Sequence, residues 1–372
     1  MIVEKLGKLI ELTKGKKHQE TNDPDSKRYI QIEDLNGNEN IKYTAEDGVY
    51  VQCDDIIIVW DGANAGKVGI GLTGIIGSTL ARMVIDKKLT FPKYLFWFLH
   101  SKFEFIKSQR TGATIPHVSN SSIQNLIIPL PPLPEQQRIA TILDHADTIR
   151  RKNREILEKY NQLAQSVFFN MFSNISANKC ELQEVCIINP NKSEIKSTDK
   201  SIIASFIPMA NISETGEVNL SEERYLKDVW KGFTYFKEGD VLFAKITPCM
   251  ENGKGAIMKN LQNEIGFGST EFHVLRPIKD KSNSVWLYYL TSSQTFRKIA
   301  EKRMTGSAGQ KRVPEKFLKE YKVNVPPYSL QNRFEVIIKT IEHQKLMAKT
   351  SLKKSEALFQ SLLQRAFKGE LY

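Results

Sequence analysis

The chain has 372 residues, 41% hydrophobic and 26% charged, which fits one to three folded domains and excludes a disordered, collagen-like or disulfide-scaffold polypeptide. Its net charge is +11 with a pI near 9.2, a balance that favours a polyanionic partner. Acidic and basic side chains are interspersed, so the cations belong to folded surfaces rather than to a disordered arm. The longest uncharged stretch, 111–134, holds five prolines and cannot be a spanning helix. With no charged-then-apolar leader, the expected location is the cytoplasm, with no membrane partner.

Taken in chain order, the apolar run 56–60 reads as a strand. The loop Gly62-Ala63-Asn64-Ala65-Gly66-Lys67-Val68 suggests a phosphate loop but is one residue short and lacks the Ser/Thr for a magnesium ion. A strand is expected at 83–85. A helix comes next, with Thr90 as its cap, Pro92 in its first turn and Tyr94, Leu95, Phe98 and Leu99 on its apolar face. The prolines at 131–134 act as a stiff hinge before a long helix at 135–172. Cys53, Cys180, Cys186 and Cys249 form no CxxC pair and are expected to be ordinary buried thiols of a reducing compartment. A strand at 271–275, a second proline pair and a second long helix complete the pattern.

The chain repeats itself. Laid over 326–367 without a gap, residues 131–172 keep eleven of 42 positions identical, among them Ile142/Ile337, Leu163/Leu358, Gln165/Gln360, Ser166/Ser361 and Phe172/Phe367. Upstream, Asp54-Asp55-Ile56-Ile57-Ile58 matches Gly239-Asp240-Val241-Leu242-Phe243, Gly77-Ser78-Thr79 matches Gly268-Ser269-Thr270, and Thr111-Gly112 matches Thr305-Gly306. The layout is an α+β repeat: two mixed globular domains at 1–130 and 173–325, alternating with helices at 131–172 and 326–372.

In the first helix, Ile139, Ala146, Asn153, Tyr160 and Val167 recur every seven residues, as do Ile142, Ile149, Ile156 and Leu163. The pattern predicts a heptad seam, with charged outward positions. The second helix carries a more polar seam of Phe334, Ile337, Ile341, Ala348, Leu358 and Leu362. Each helix has the other as its natural partner. A pseudo-two-fold arrangement makes them an antiparallel coiled coil that holds the globular domains apart.

No reaction chemistry declares itself. Glu194-Ile195-Lys196 lacks the upstream carboxylate that a metal-dependent nuclease needs. There is no Asn/Asp-Pro-Pro-aromatic run, no GxSxG and no HExxH, and Asp144, His145 and Asp147 read as surface charges of a coiled coil. No metal and no cofactor are expected.

The run Leu130-Pro131-Pro132-Leu133-Pro134-Glu135-Gln136-Gln137-Arg138-Ile139, followed by Ala140-Thr141-Ile142-Leu143-Asp144, closely resembles the boundary motif of type I restriction–modification specificity subunits. The second copy is more degenerate, with Ser329 and Leu330 in place of Pro-Glu. The resemblance implies a non-catalytic reader of double-stranded DNA with two target-recognition domains, each reading one half of a split site. It also implies helices that set the gap and dock two adenine-N6 methyltransferase subunits, with endonuclease/translocase subunits completing the complex. A coiled-coil assembly protein and a DNA-modifying enzyme with an unrecognised active site are the competing readings.

For a DNA reader, base edges call for Arg, Lys, Gln, Asn and small hydroxyls, and phosphates for cations and backbone amides near glycine. Two loop groups combine these types in both repeats. One holds Asn64 and Lys67 in the first domain and Lys245, Asn252 and Lys254 in the second. The other holds Arg110, Thr111, Thr114 and His117, and then Arg303, Thr305, Ser307, Gln310, Lys311 and Arg312.

Overall fold

The computed structural model describes residues 2–37, 40–110, 116–173, 175, 179–307 and 309–371. These divide into two compact units, 1–154 with 350–372 and 155–349, so each long helix is shared between the two.

The first unit runs through β1 (Ile2–Lys5), β2 (Ile10–Lys14), β3 (Lys27–Ile30), β4 (Lys42–Thr44), β5 (Tyr50–Val51), β6 (Ile56–Val59), β7 (Val68–Gly69), β8 (Gly74–Ile76) and β9 (Leu80–Ile85). Helices α1 (Pro92–Ser101), α2 (Phe103–Ser108) and α3 (Asn120–Gln124), strand β10 (Ile127–Leu130) and the long α4 (Leu133–Phe172) come after them. Two four-stranded sheets, ordered β2-β9-β6-β7 and β4-β3-β8-β5, accompany a β1-β10 pair. Strand β6 explains its own apolar run, because all four of its residues are buried. Ile57 and Val59 pack with Ile30, Val51 and Ile76 of the other sheet, while Ile56 and Ile58 join Tyr94, Leu95 and Phe98 of α1. A strand covered on both faces needs no polar alternation.

The second unit repeats the topology. Its elements are β11 (Lys179–Glu181), β12 (Cys186–Ile188), β13 (Ile203–Ile207), β14 (Glu223–Tyr225), α5 (Leu226–Val229), β15 (Thr234–Lys237), β16 (Val241–Ala244), β17 (Gly255–Ile257), β18 (Ile265–Gly268) and β19 (Phe272–Pro277). Then come α6 (Ser284–Ser292), α7 (Gln294–Lys302), α8 (Glu315–Glu320), β20 (Lys322–Asn324) and the long α9 (Tyr328–Lys368). The sheets are β12-β19-β16-β17 and β14-β13-β18-β15, with a β11-β20 pair. Strand for strand these are the orders of the first unit. The one parallel pairing in each larger set recurs too, β3 with β8 and β13 with β18.

Within each unit the long helices are antiparallel. In the first, Asn153 Nδ2 donates to Ser355 Oγ at 3.1 Å, Arg154 pairs with Glu356 at 2.6 Å, and Arg138 donates to the Leu371 carbonyl. In the second, Phe172 and Phe168 pack on the Phe334 ring at 5.2 and 5.6 Å.

The packing corrects half of the expected seam. The row Ile139, Ala146 is buried, Asn153 and Tyr160 are half-buried, and on α9 Phe334 and Ile341 are buried with Ala348 and Leu362 half-buried. The second buried row, however, is Gln136, Leu143 and Ala164, with Gln331, Ile338 and Phe359 on α9. Ile142 and Ile337 are half-buried, whereas Ile149, Ile156, Leu163 and Leu358 are exposed by 52%, 43%, 45% and 53%. The two candidate rows differ by one residue, about 100° around the helix. In each unit the helices also cover a globular core, Ile139, Ala140 and Leu143 joining Trp97 and Phe98 in the first. That contact turns the buried face toward the later row.

Two smaller expectations are also corrected. The cap of α1 is Phe91, not Thr90: the Phe91 carbonyl accepts the first helical bond, from Leu95 N at 3.2 Å, and its amide is taken by Gln136 Oε1 at 2.8 Å. Cys186 is buried, Cys180 and Cys249 are half-buried, and Cys53 is exposed. Burial pushes the Cys186 thiol up to about 12.

Candidate nucleic-acid interface

In the first unit, β6 delivers the chain into the loop 60–67, which closes on itself through Ala65 N to Gly62 O at 3.0 Å and Lys67 N to Asn64 O at 3.1 Å. The segment after α2 returns beside it. Gly62 N donates to Pro116 O at 2.8 Å, Val118 N to Trp60 O at 2.9 Å, and Asp61 bridges His117. The backbone therefore brings Asn64 and Lys67 next to His117. Arg110 donates from Nη1 to Ala63 O at 2.9 Å, so it binds the loop itself. Thr111 and Thr114 lie outside the described residues. Asn64 and His117 are exposed; Lys67 and Arg110 are half-buried.

The second unit uses the same construction. Val313 N donates to Lys245 O at 2.9 Å, Thr247 N to Lys311 O at 3.0 Å, and Ile246 bridges Arg312. Thr305 and Arg312 exchange backbone bonds of 3.0 and 2.8 Å, closing a hairpin that carries Ser307, Gln310 and Lys311. Asn252, Arg303, Thr305, Ser307, Gln310 and Lys311 are exposed. Lys245 and Lys254 are half-buried, with Lys254 Nζ on Met209 O at 3.3 Å. Arg312 is already engaged: its Nε and Nη2 each donate to Glu271 at 2.9 Å. The Arg312 guanidinium holds the Glu271 carboxyl below its usual range.

Behind the hairpin, His273 is buried, with Nε2 2.8 Å from Val313 O and Nδ1 3.1 Å from Asn189 Nδ2. Asn189 Oδ1 accepts from Val274 N at 3.0 Å, which fixes its amide and makes Nδ2 the donor to His273. The carbonyl of Val313 can only accept, so the proton sits on Nε2. Burial is the main cause that holds the imidazole pKa below its usual value.

Sequence reasoning passed over a third loop. From the last residue of β2 the chain reads Lys14-Gly15-Lys16-Lys17, with all three lysines exposed. Lys14 pairs with Asp61 of the first loop at 2.7 Å. A Cβ on Gly15 would come within 2.4 Å of Gly77 O, so only glycine permits this approach. The equivalent segment after β12, Asn189-Pro190-Asn191-Lys192, lines a hollow of about 350 Å³ with Phe233, Lys245 and Phe272. The signal was the one already used for 62–67, lysine flanking glycine. Among the described residues, no group of three or more His, Cys, Asp or Glu could hold a metal ion. No helix there is long and apolar enough to cross a membrane.

The two units thus carry loops built alike, with exposed polar and basic side chains on both. A family model described as the type I restriction modification DNA specificity domain matches residues 2–160 and 175–354, and the chain belongs to that family. It is 40% identical over 187 residues to the type I restriction enzyme EcoAI specificity subunit of Escherichia coli, an alignment covering 49% of this chain and 31% of that longer protein. The chain is 26% identical over 373 residues to the MjaVIII specificity subunit of Methanocaldococcus jannaschii, covering 92% of this chain and 86% of the relative. Its fold is similar to the crystal structure of a type I restriction–modification S subunit from M. genitalium, with a TM-score of 0.55 and 15% identity over 98% of this chain and 96% of that one. A chain from a study of complex assembly in the type I system matches with a TM-score of 0.58 and 16% identity, covering 100% of this chain and 98% of that one.

Proposed function

We propose that this chain is the sequence-reading subunit of a type I restriction–modification complex. It binds double-stranded DNA at a split target and directs adenine-N6 methylation or restriction by partner subunits, without catalysis, metal or cofactor of its own. Segments 1–130 and 173–325 are the target-recognition domains, and 131–172 and 326–372 are the helices between them. The observation that carries the reading is the loop pair built the same way in both units: 60–67 beside 116–118, and 245–254 beside 303–312. Two copies of one scaffold with different side chains on corresponding loops suit two different half-sites.

The partners are two methyltransferase subunits and the endonuclease/translocase subunits, in the cytoplasm. Exposed apolar side chains on the helices support docking there: Ile149 and Leu358 in the first unit, Leu163, Leu346 and Met347 in the second. The test is methylation mapping with the intact chain and its methyltransferase partner. Two short half-sites separated by unread bases support the reading. A single contiguous motif, or methyl transfer by the chain alone that is lost on mutating one of its own residues, overturns it.

A further inference from the structure

The first candidate loop of each unit, 60–67 and 245–254, is held by an arginine through backbone carbonyls. In the second unit, Arg297 of α7 is 8% exposed. It donates from Nη1 to Met250 O and from Nη2 to Gly253 O at 2.8 Å and Lys254 O at 3.5 Å. No Asp or Glu pairs with it among the described residues, and its Nε has no hydrogen-bond partner there. A buried cation without a counter-ion is costly, and burial accordingly lowers its pKa to about 10. What keeps it in place is the loop. Residues 246–254 form a turn in which Met250 N donates to Ile246 O at 2.9 Å, Asn252 N to Pro248 O at 2.9 Å and Lys254 N to Cys249 O at 3.0 Å. Gly253 ends the turn at φ +93°, a left-handed conformation that suits glycine, and its carbonyl meets the guanidinium. Carbonyls at the end of such a turn favour a cation. With those carbonyls tied inward, Asn252 is left exposed on the loop.

In the first unit Arg110, two residues past α2, donates to Ala63 O, the residue before exposed Asn64. The same loop of the repeat is thus held by an arginine that comes from a different position in each sequence. An ungapped comparison hides this.

We propose that Arg297 and Arg110 are positioning residues of the two DNA-reading loops, each fixing by its carbonyl bonds the outward presentation of Asn252 or Asn64. This rests on the DNA-reading function proposed above. The arginines do not contact bases; they set the loop that does. Removing one loosens a single loop and a single half-site.

The test uses the full-length chain, Arg297→Met, Arg297→Lys and Arg110→Met, with a pool of random-sequence duplexes as probe and amide hydrogen exchange as a second readout. Arg297→Met is expected to speed exchange in 246–254 at least tenfold while α9 is unchanged. It should cut discrimination at one half-site about tenfold and leave the other within twofold. Arg110→Met does the same at the opposite half-site. Arg297→Lys, which keeps the charge but loses the fork, recovers part of the lost discrimination. Unchanged exchange in 246–254 overturns the clamp, and faster exchange with both half-sites fully read overturns the positioning role. Should Arg297→Met not fold, Arg297→Lys decides alone: discrimination equal to the native chain sinks the proposal. A native chain that selects no duplex instead removes the DNA reading beneath it, and the exchange result then shows separately whether the clamp exists.

Discussion

Gln136 and Gln331 make the same three hydrogen bonds, each in its own unit. Gln136 Nε2 donates to Pro131 O and Leu89 O, both at 2.9 Å, and its Oε1 accepts from Phe91 N at 2.8 Å. Gln331 Nε2 donates to Pro326 O at 3.0 Å and Lys281 O at 2.9 Å, and its Oε1 accepts from Asn283 N at 3.0 Å. They are 1% and 0% exposed. A primary amide alone supplies two donors and an acceptor at this point, which accounts for the glutamine that both copies of the proline motif keep. Truncating either leaves buried backbone groups unpaired, at about 1–3 kcal/mol. Gln136→Ala and Gln331→Ala should each lower the unfolding midpoint. Gln136→Glu, which faces two carbonyls with a carboxylate, should do no better than alanine. Thermal unfolding of the three variants checks this, and native-like stability in Gln136→Glu would show the cradle to be idle.

The His273 network makes stability depend on acidity in one direction. The neutral ring donates to Val313 and accepts from Asn189, and protonation would set an N–H against an amide N–H. Lys245, Glu315 and Glu271 are the charged groups around it, and burial outweighs them in lowering its pKa. The unfolded ring titrates near 6.5, so the unfolded chain binds the proton more readily. The stabilisation is complete above about pH 6.5 and is lost as the pH falls through the lower folded value. His100, depressed chiefly by burial and then by Arg150, adds to the same trend. Denaturant titrations at pH 7.5, 6.5 and 5.5 should show falling stability, with a shallower slope in His273→Gln. An equal slope in that variant would place the acid sensitivity elsewhere.

What was legible in the sequence is what short-range chemistry carries. The Pro-Gln motif, the glycine-flanked loops and the apolar strand run of β6 announce themselves because each is a distinctive local run of residue types, whatever distant partners it meets. The heptad pattern misled because Ile142, Ile149, Ile156 and Leu163 read as more apolar than the row one residue along, Gln136, Leu143, Arg150, Leu157 and Ala164, and only the globular core beneath Leu143 and Phe359 selects the latter. Glu271 and Arg297 were invisible for a different reason. Their partners lie 41 residues or more away, and an Asp or Glu at the start of a strand or an Arg in a helix has nothing unusual about it locally.

Glu271 restrains a cation on the candidate interface. Its bidentate pair with Arg312 sits between the hairpin 305–312 and the start of β19, with the arginine side chain 43% exposed. Glu271→Gln removes the negative charge and frees the guanidinium for phosphate. Retention on duplex DNA should then strengthen for all sequences, and the salt slope should steepen by about one counter-ion. Arg312→Ala should act in the opposite sense, at about 1–3 kcal/mol for a base contact, and relax one half-site. Salt-dependent binding of both variants to the selected target and to a scrambled duplex separates the two effects. No change in either would remove Arg312 from the interface.

The spacer role of the helices is tested by their length. Helices α4 and α9 have 40 and 41 residues, about 60 Å at ~1.5 Å per residue. They are antiparallel within each unit, so lengthening one alone would put the pairing of Asn153 with Ser355 in the first unit out of step with that of Phe172 with Phe334 in the second. Both must be extended together, four residues after Arg154 and four after Lys349, where each helix passes from one unit to the other. Four residues are close to one turn, adding about 6 Å with about 40° of rotation. Taken up along the DNA axis at ~3.4 Å per base pair, that is nearly two base pairs. Methylation mapping with the methyltransferase partner should return both half-sites unchanged and a gap longer by one or two base pairs. A single residue added at each point rotates the remainder of each helix by about 100° and should abolish methylation of any two-part target. An unchanged gap after the four-residue double insertion, with both half-sites still read, would mean that the helices do not measure the DNA.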